Sequence, residues 1–299
     1  IKYALEIIAP TDDNQITIHL DEGTYSPSLT GETFSINMIS NVNLIGAGED
    51  LTILDAEQTD RVILMENCEN NIISDLTITG GQAVGDYPDN SGGGMYLWES
   101  NPILNNVTIS NNTANYGGGM FLSSSNPTLN NVTILNNTAE DYAGGMYLDF
   151  SNPTLNNVTI SNNTAEDWGG GMFLVDYSNP TLNNVTISNN MADWGGGMGL
   201  WNSNPTLNNV TISDNTAYNT LYDYGGGGGM WLIGSNPTLN NVTISNNTAD
   251  DGGGMNLDFS NPTLNNVTIA NNTADYGGGM VLASSSPTLN NVTISNNTG

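Results

Sequence analysis

The chain has 299 residues and a formal net charge of −28, from 30 Asp plus Glu against 2 Lys plus Arg. With Lys2 and Arg61 as its only bases, it lacks the clustered cations that bind nucleic acid or an anionic membrane surface. Cys68 stands alone, which excludes an internal disulfide and a cysteine redox pair, and no run approaches the roughly 18 apolar residues of a membrane-spanning helix.

The first 90 residues are irregular. Short apolar runs bounded by turn formers predict strands at 16–20, 34–39, 42–45, 52–54, 62–65 and 72–78. They read as early turns covering the N-terminal end of a repeat core. No signal peptide is legible. The sequence opens without Met and stops inside a repeat, so it reads as a mature or trimmed piece of something larger.

Residues 91–299 form eight units. Met95, Met120, Met146, Met172, Met198, Met230, Met255 and Met280 each follow a glycine run, 25 or 26 residues apart except for 32 between Met198 and Met230. A period this regular marks a stacking unit. Gly runs, Asn pairs and Pro interrupt every few residues, which excludes helix. The pieces between them alternate with period 2: Met120 and Leu122 face one way, Phe121 the other. Three short strands and three corners per unit predict an all-β, right-handed parallel β-helix of about 25 residues per turn. Roughly 12 turns give a rod ~57 Å long. The last unit closes on the consensus with no polar cap, so the C-terminal end is expected to be uncapped.

Each unit carries an Asn pair between Leu and Val, and a further Asn three residues after Ile: Asn112, Asn137, Asn163, Asn190, Asn215, Asn247, Asn272 and Asn297. Asn tolerates the left-handed backbone of a tight corner. Stacked every turn, its amides can donate to one another, which predicts a structural ladder. Glycine supplies another corner, where positive φ is cheap.

The segment "IKYALEIIAPTDDNQITIHLDEGTY", with "LIGAGEDLTILDA" and "IISDLTITGG", resembles the opening of pectin-lyase-like β-helix proteins, which run from an amphipathic helix into a strand and then "GTY". The Gly-Gly-Met and Ile-x-x-Asn-Thr-Ala motifs are similar to the repeats of polymorphic outer-membrane proteins and related autotransporter-type surface proteins. The resemblance implies an exported or surface-displayed protein, often an adhesin or envelope component. The lyases and polygalacturonases of that fold rely on basic residues that Lys2, Arg61 and His19 cannot assemble, and a −28 rod repels polyuronate.

Several chemistries remain open. Glu140 with Asp141, Glu166 with Asp167, and Asp250 with Asp251 are candidate carboxylate pairs for a neutral-glycan hydrolase. They recur at equivalent corners, as do Asp193, Asp223 and Asp275; this series reads first as solvated charge, with a calcium row as the alternative. The outward position between Met and Leu holds Tyr96, Phe121, Tyr147, Phe173 and Trp231, and the position before the glycine run holds Tyr116, Tyr142, Trp168, Trp194, Tyr224 and Tyr276. Aromatic rows on an exposed sheet indicate a protein or glycan interface, or cross-strand stacking that stabilises the sheet itself. The long unit adds a loop at 218–223 as a further contact candidate. N-x-Ser/Thr sequons recur, although glycans are wider than the turn spacing. The outward pair of Thr108 and Ser110, which recurs as Thr159 and Ser161, resembles the Thr arrays of β-helical ice-binding proteins, interrupted by Leu135 and Ala270.

The expectation is a non-enzymatic extracellular or cell-surface rod, structural or adhesive. Its partners are further copies of itself in a filament or sheath, or other surface proteins and glycans. The alternatives are a neutral-glycan hydrolase and an ice-binding protein.

Overall fold

In the computed structural model, every pairing between strands longer than an isolated bridge is parallel, and each repeat pairs with the next in the same register. The structure describes residues 1–218 and 225–299. Successive copies of the unit coil into a solenoid of about 11 turns of about 26 residues. At ~4.8 Å per turn the rod is ~53 Å long. That is slightly shorter than the expected 57 Å, because the turns run longer than 25 residues and the first fifteen residues precede the first strand.

Three parallel sheets line the solenoid. The largest has 19 strands and contains Thr128–Leu135; in later turns the same stretch appears as two short strands, Thr154–Asn156 and Thr159–Ser161. A 10-stranded sheet holds the Met strands such as Met120–Ser123, and a 7-stranded sheet holds the Thr-Ala strands such as Thr138–Tyr142. Apolar side chains point inward from the first two. Met120, Leu122, Leu129 and Ile134 are fully buried, and their equivalents stack on them in every turn from Met95 to Ile269. One turn cannot complete its own backbone hydrogen bonds, so stability belongs to the stack.

The N-terminal region follows the resemblance. A helix at Lys2–Ile7 buries Leu5 against the core, and strands Ile16–His19 and Gly23–Tyr25 follow. The strands expected over 42–45, 52–54, 62–65 and 72–78 are present within a residue at each end. Of 34–39, only Ile36–Asn37 forms a strand, opposite Ile63 and Leu64.

The corners divide the work of the asparagines more finely than their spacing suggested. The left-handed residues are the second of each Asn pair and the residue before the ladder, such as Asn131 (φ 53°) and Asn136 (φ 54°). The ladder residue itself is absent from the left-handed set and points inward. Asn112, Asn137 and Asn163 are completely buried, and each Nδ2 donates to the next Oδ1 at 3.0 Å. The same chain continues through Asn190, Asn215, Asn247 and Asn272 to Asn297. Two outer rows run the other way: Asn130 Nδ2 donates back to Asn105 Oδ1, and Asn131 Nδ2 to Asn106 Oδ1.

A buried serine row was missed. Ser100, Ser125, Ser151, Ser178, Ser203, Ser235 and Ser260 are fully buried, and each backbone N–H donates to the next serine Oγ. Cys68 opens the row by donating its N–H to Ser100 Oγ. The signal was the Ser that precedes Asn-Pro in unit after unit.

The third corner needs glycine for a steric reason. Gly117 sits at φ +63°, and a Cβ there would lie 2.3 Å from the Met120 carbonyl oxygen. Ala143 takes the equivalent place one turn on, at φ 62°, a conformation unfavourable for a residue with a side chain.

Candidate functional site

Because Met120 and Leu122 point inward, Phe121 between them must point outward, and the same holds in each turn. Parallel register then stacks these outward residues: Tyr96 on Phe121 (5.3 Å, interplanar 1°) and Phe121 on Tyr147 (5.0 Å, 8°). The row beside it, before the glycine run, places Tyr116, Tyr142, Trp168 and Trp194 on successive turns. The two rows meet: Tyr142 lies 5.6 Å from Phe173, and Trp168 lies 5.3 Å from it.

The expectation of an exposed aromatic sheet needs correction here. Phe121 is 1% exposed, and Tyr96 and Phe173 are also buried, because each row covers the other. Tyr147 and Trp231 are half-buried. Burial and Asp149 push the Tyr147 phenol well above its usual range, and burial lifts Tyr96 to about 12.

The stack changes at Gly199. This glycine pairs with Phe173 on one side and Trp231 on the other, and leaves a missing rung. Trp168 lies against Trp231 (3.9 Å) and close to Trp201 (5.5 Å), so four tryptophans, with Trp194, gather around the gap. Next to it opens a cleft of about 400 Å³. Phe173 and Val175 are its buried residues, and Tyr142, Tyr147, Trp168, Trp201 and Asp176 line the remainder.

Three exposed aromatics near the cleft lie at, or one residue before, a corner that sequence reading overlooked. Trp201 is 44% exposed, Tyr177 66% and Phe150 54%. Phe150 (φ 46°) and Tyr177 (φ 64°) both adopt left-handed backbone, which is unfavourable for a bulky residue. Neighbouring turns use Ser124, Asn202 and Gly234 for the same corner. The available signals were an aromatic in place of these turn formers, and the extra residue in "MFLVDYSNP".

Acids flank the aromatic rows. Asp141, Asp167 and Asp193 occur in successive turns, with the Asp167 N–H donating to the Asp141 carbonyl and the Trp194 N–H to the Asp167 carbonyl. Burial pushes the Asp193 carboxyl up to about 6, helped by Asp167, Glu166 and Asp250. Burial also raises Asp167, with Asp141 and Glu166 adding to it. Asp251 rises through burial, Asp250 and Asp275. Across the cleft, burial and Asp176 raise Asp149. Glu140, Glu166 and Asp275 are exposed, while Asp250 Oδ2 accepts the Gly225 N–H at 2.6 Å.

As for calcium, among the described residues no three or more His, Cys, Asp or Glu side chains group with metal-holding geometry. Asp223, Tyr224 and most of the 218–223 loop lie outside the described residues. Gly226, rather than an aromatic, pairs with Trp194 and Asp251 in the row before the glycine run. Trp231 is in its expected row but leans across Gly199 to Trp168, and Tyr276 is highly exposed.

The profile of the right-handed beta helix region matches residues 35–217 and 158–299. The chain therefore belongs to the right-handed β-helix family. Among solved structures it is similar to pectate lyase Pel9A, with a TM-score of 0.57 and 13% identity over 95% of this chain and 72% of that one. It is also similar to the catalytic domain of a GH87 α-1,3-glucanase (TM-score 0.49, 17% identity, 95% and 62% coverage). A third likeness is to the A-module of mannuronan C-5 epimerase AlgE4 from Azotobacter vinelandii (TM-score 0.45, 16%, 98% and 92%). The family match and the likeness to the pectate lyase show a pectin-lyase-like fold. No curated protein matches the chain.

Proposed function

We propose that this chain is an exported or surface-displayed rod that binds neutral glycans along its aromatic cleft, as an adhesive contact and without turnover. The observation that carries the reading is the trio Trp201, Tyr177 and Phe150, exposed beside a cleft that contains Trp201, two of the three held in left-handed backbone. Exposed aromatic faces at strained positions are retained against their cost to folding. Flat rings offer an apolar surface to the C–H faces of a sugar, and nearby carboxylates accept hydrogen bonds from its hydroxyls. The charge of −28 disfavours an anionic polysaccharide, which supports a neutral one. Among the described residues no helix is long and apolar enough to cross a membrane. Self-association into a filament, expected from the last turn, the aromatic rows and the repeat, loses the support of the rows, which cover each other.

Affinity electrophoresis through gels containing neutral polysaccharides tests the reading. At least one polysaccharide should retard the wild type and release Trp201→Ala. Equal mobility of the two proteins in every gel would count against the proposal.

A second reading is a neutral-glycan hydrolase. It is favoured by Asp193, whose carboxyl burial and neighbouring acids push up to about 6, towards the range a general acid needs. Reducing ends released by wild type and not by Asp193→Asn would establish it and displace the non-catalytic reading.

A further inference from the structure

The only arginine is buried without a carboxylate partner. Arg61 is 7% exposed. Its Nη2 donates to the Pro88 and Asp89 carbonyl oxygens, at 3.3 and 2.6 Å, and its guanidinium carbon lies 4.8 Å from the Tyr96 ring centre. Among the described residues Nε and Nη1 have no hydrogen-bond acceptor, and no carboxylate comes within 4.0 Å of the group. In a chain with 30 acids this is unexpected, since buried guanidinium groups are normally paired.

Arg61 lines a cavity of about 410 Å³ at the N-terminal end of the aromatic rows, where strand Ile63–Glu66 pairs with Met95–Trp98. Asp60, Asp89, Gln82 and Thr59 share the wall. The Asp60 carboxylate is held by the Arg61 backbone N–H through one oxygen, and the Asp89 carboxylate has no hydrogen-bond partner among the described residues. Burial pushes the guanidinium pKa down, opposed by Asp60 and Asp89, yet arginine keeps its charge.

We infer that this cavity binds a small zwitterion of the free amino-acid class, with its carboxylate on Arg61 and its ammonium between Asp60 and Asp89. A plain anion satisfies the guanidinium but faces two carboxylates; a plain cation leaves the guanidinium unpaired. A molecule with both charges a few bonds apart satisfies all three groups. The cavity has room for such a molecule, and Gln82 and Thr59 add donors and acceptors for it. This inference is independent of the glycan cleft.

Calorimetric titration of the full chain with a panel of free amino acids, and with acetate and methylammonium, tests the inference. At least one amino acid should bind, with acetate and methylammonium each weaker by roughly tenfold or more. Arg61→Gln and Asp89→Asn should each weaken that amino acid by roughly tenfold or more. Because Arg61 also holds the 80–91 loop, Arg61→Gln carries a folding risk, and Asp89→Asn, at an exposed carboxylate, then decides alone. Failure of every amino acid to bind the wild type at about 10 mM would overturn the inference. Acetate binding as tightly as the best amino acid would overturn it too, as would unchanged affinity in Asp89→Asn.

Discussion

Asn137 donates its side-chain N–H groups to Asn163 Oδ1 and to the Ile109 carbonyl, both at 3.0 Å, while its own Oδ1 accepts from Asn112. Every polar atom of this buried amide is thus engaged, and the arrangement repeats turn after turn. Removing one rung orphans its neighbours. Asn163→Ala should cost at least ~3 kcal/mol, from two or more unsatisfied groups at roughly 1–3 kcal/mol each. The exposed Asn157, left-handed at φ 55°, should cost only about 1 kcal/mol when changed to Ala. Denaturant midpoints of the two variants give the comparison, and equal losses would contradict a ladder-dependent stack.

The serine row makes a parallel forecast. Ser151 Oγ donates to the Asp149 carbonyl at 2.7 Å and accepts the Ser125 N–H at 3.0 Å. Ser151→Ala should destabilise by about 1–3 kcal/mol, because the buried Ser125 N–H loses its acceptor. A melt indistinguishable from wild type would show that another acceptor takes its place.

Most of the fold was legible because the repeat states it many times over. Met120, Leu122, Leu129 and Ile134 read inward from simple alternation, and the Asn spacing implied stacked amides. The site was less legible because burial is a property of two rows together. Phe121 alternates outward as predicted, yet Tyr87, Tyr96 and Tyr147 close over it, which no single strand reveals. Phe150 and Tyr177 were overlooked because strand periodicity carries no information about corners. Arg61 drew notice only as a rarity, since the 80–91 loop that buries it has no pattern of its own.

Phe150 links stability to function. Phe150→Asn should stabilise the protein by about 1 kcal/mol, since Asn accepts the left-handed corner and removes an exposed ring. The same change should weaken glycan binding several-fold. A variant that is both less stable and equally adhesive would remove the argument from strain.

Proton binding at Asp193 gives a pH forecast. Its folded pKa of about 6 lies above the ordinary 3.8, so the folded state holds the proton more tightly than the unfolded chain. Stability from this group therefore rises as pH falls from 7 towards 4, and is lost again as pH rises through 6. Asp193→Asn should raise the melting temperature at pH 7 by about 1–3 °C and flatten its dependence between pH 5 and 7. An unchanged profile would place Asp193 in contact with solvent and free of its acidic neighbours.

The most direct measurement is a crystal structure of the chain with a neutral oligosaccharide selected by the electrophoretic panel. The account predicts an intact sugar chain in the cleft beside Gly199, with a pyranose face against Trp201 or Tyr177. Sugar bound only elsewhere on the rod, or cleaved in the cleft, would contradict it.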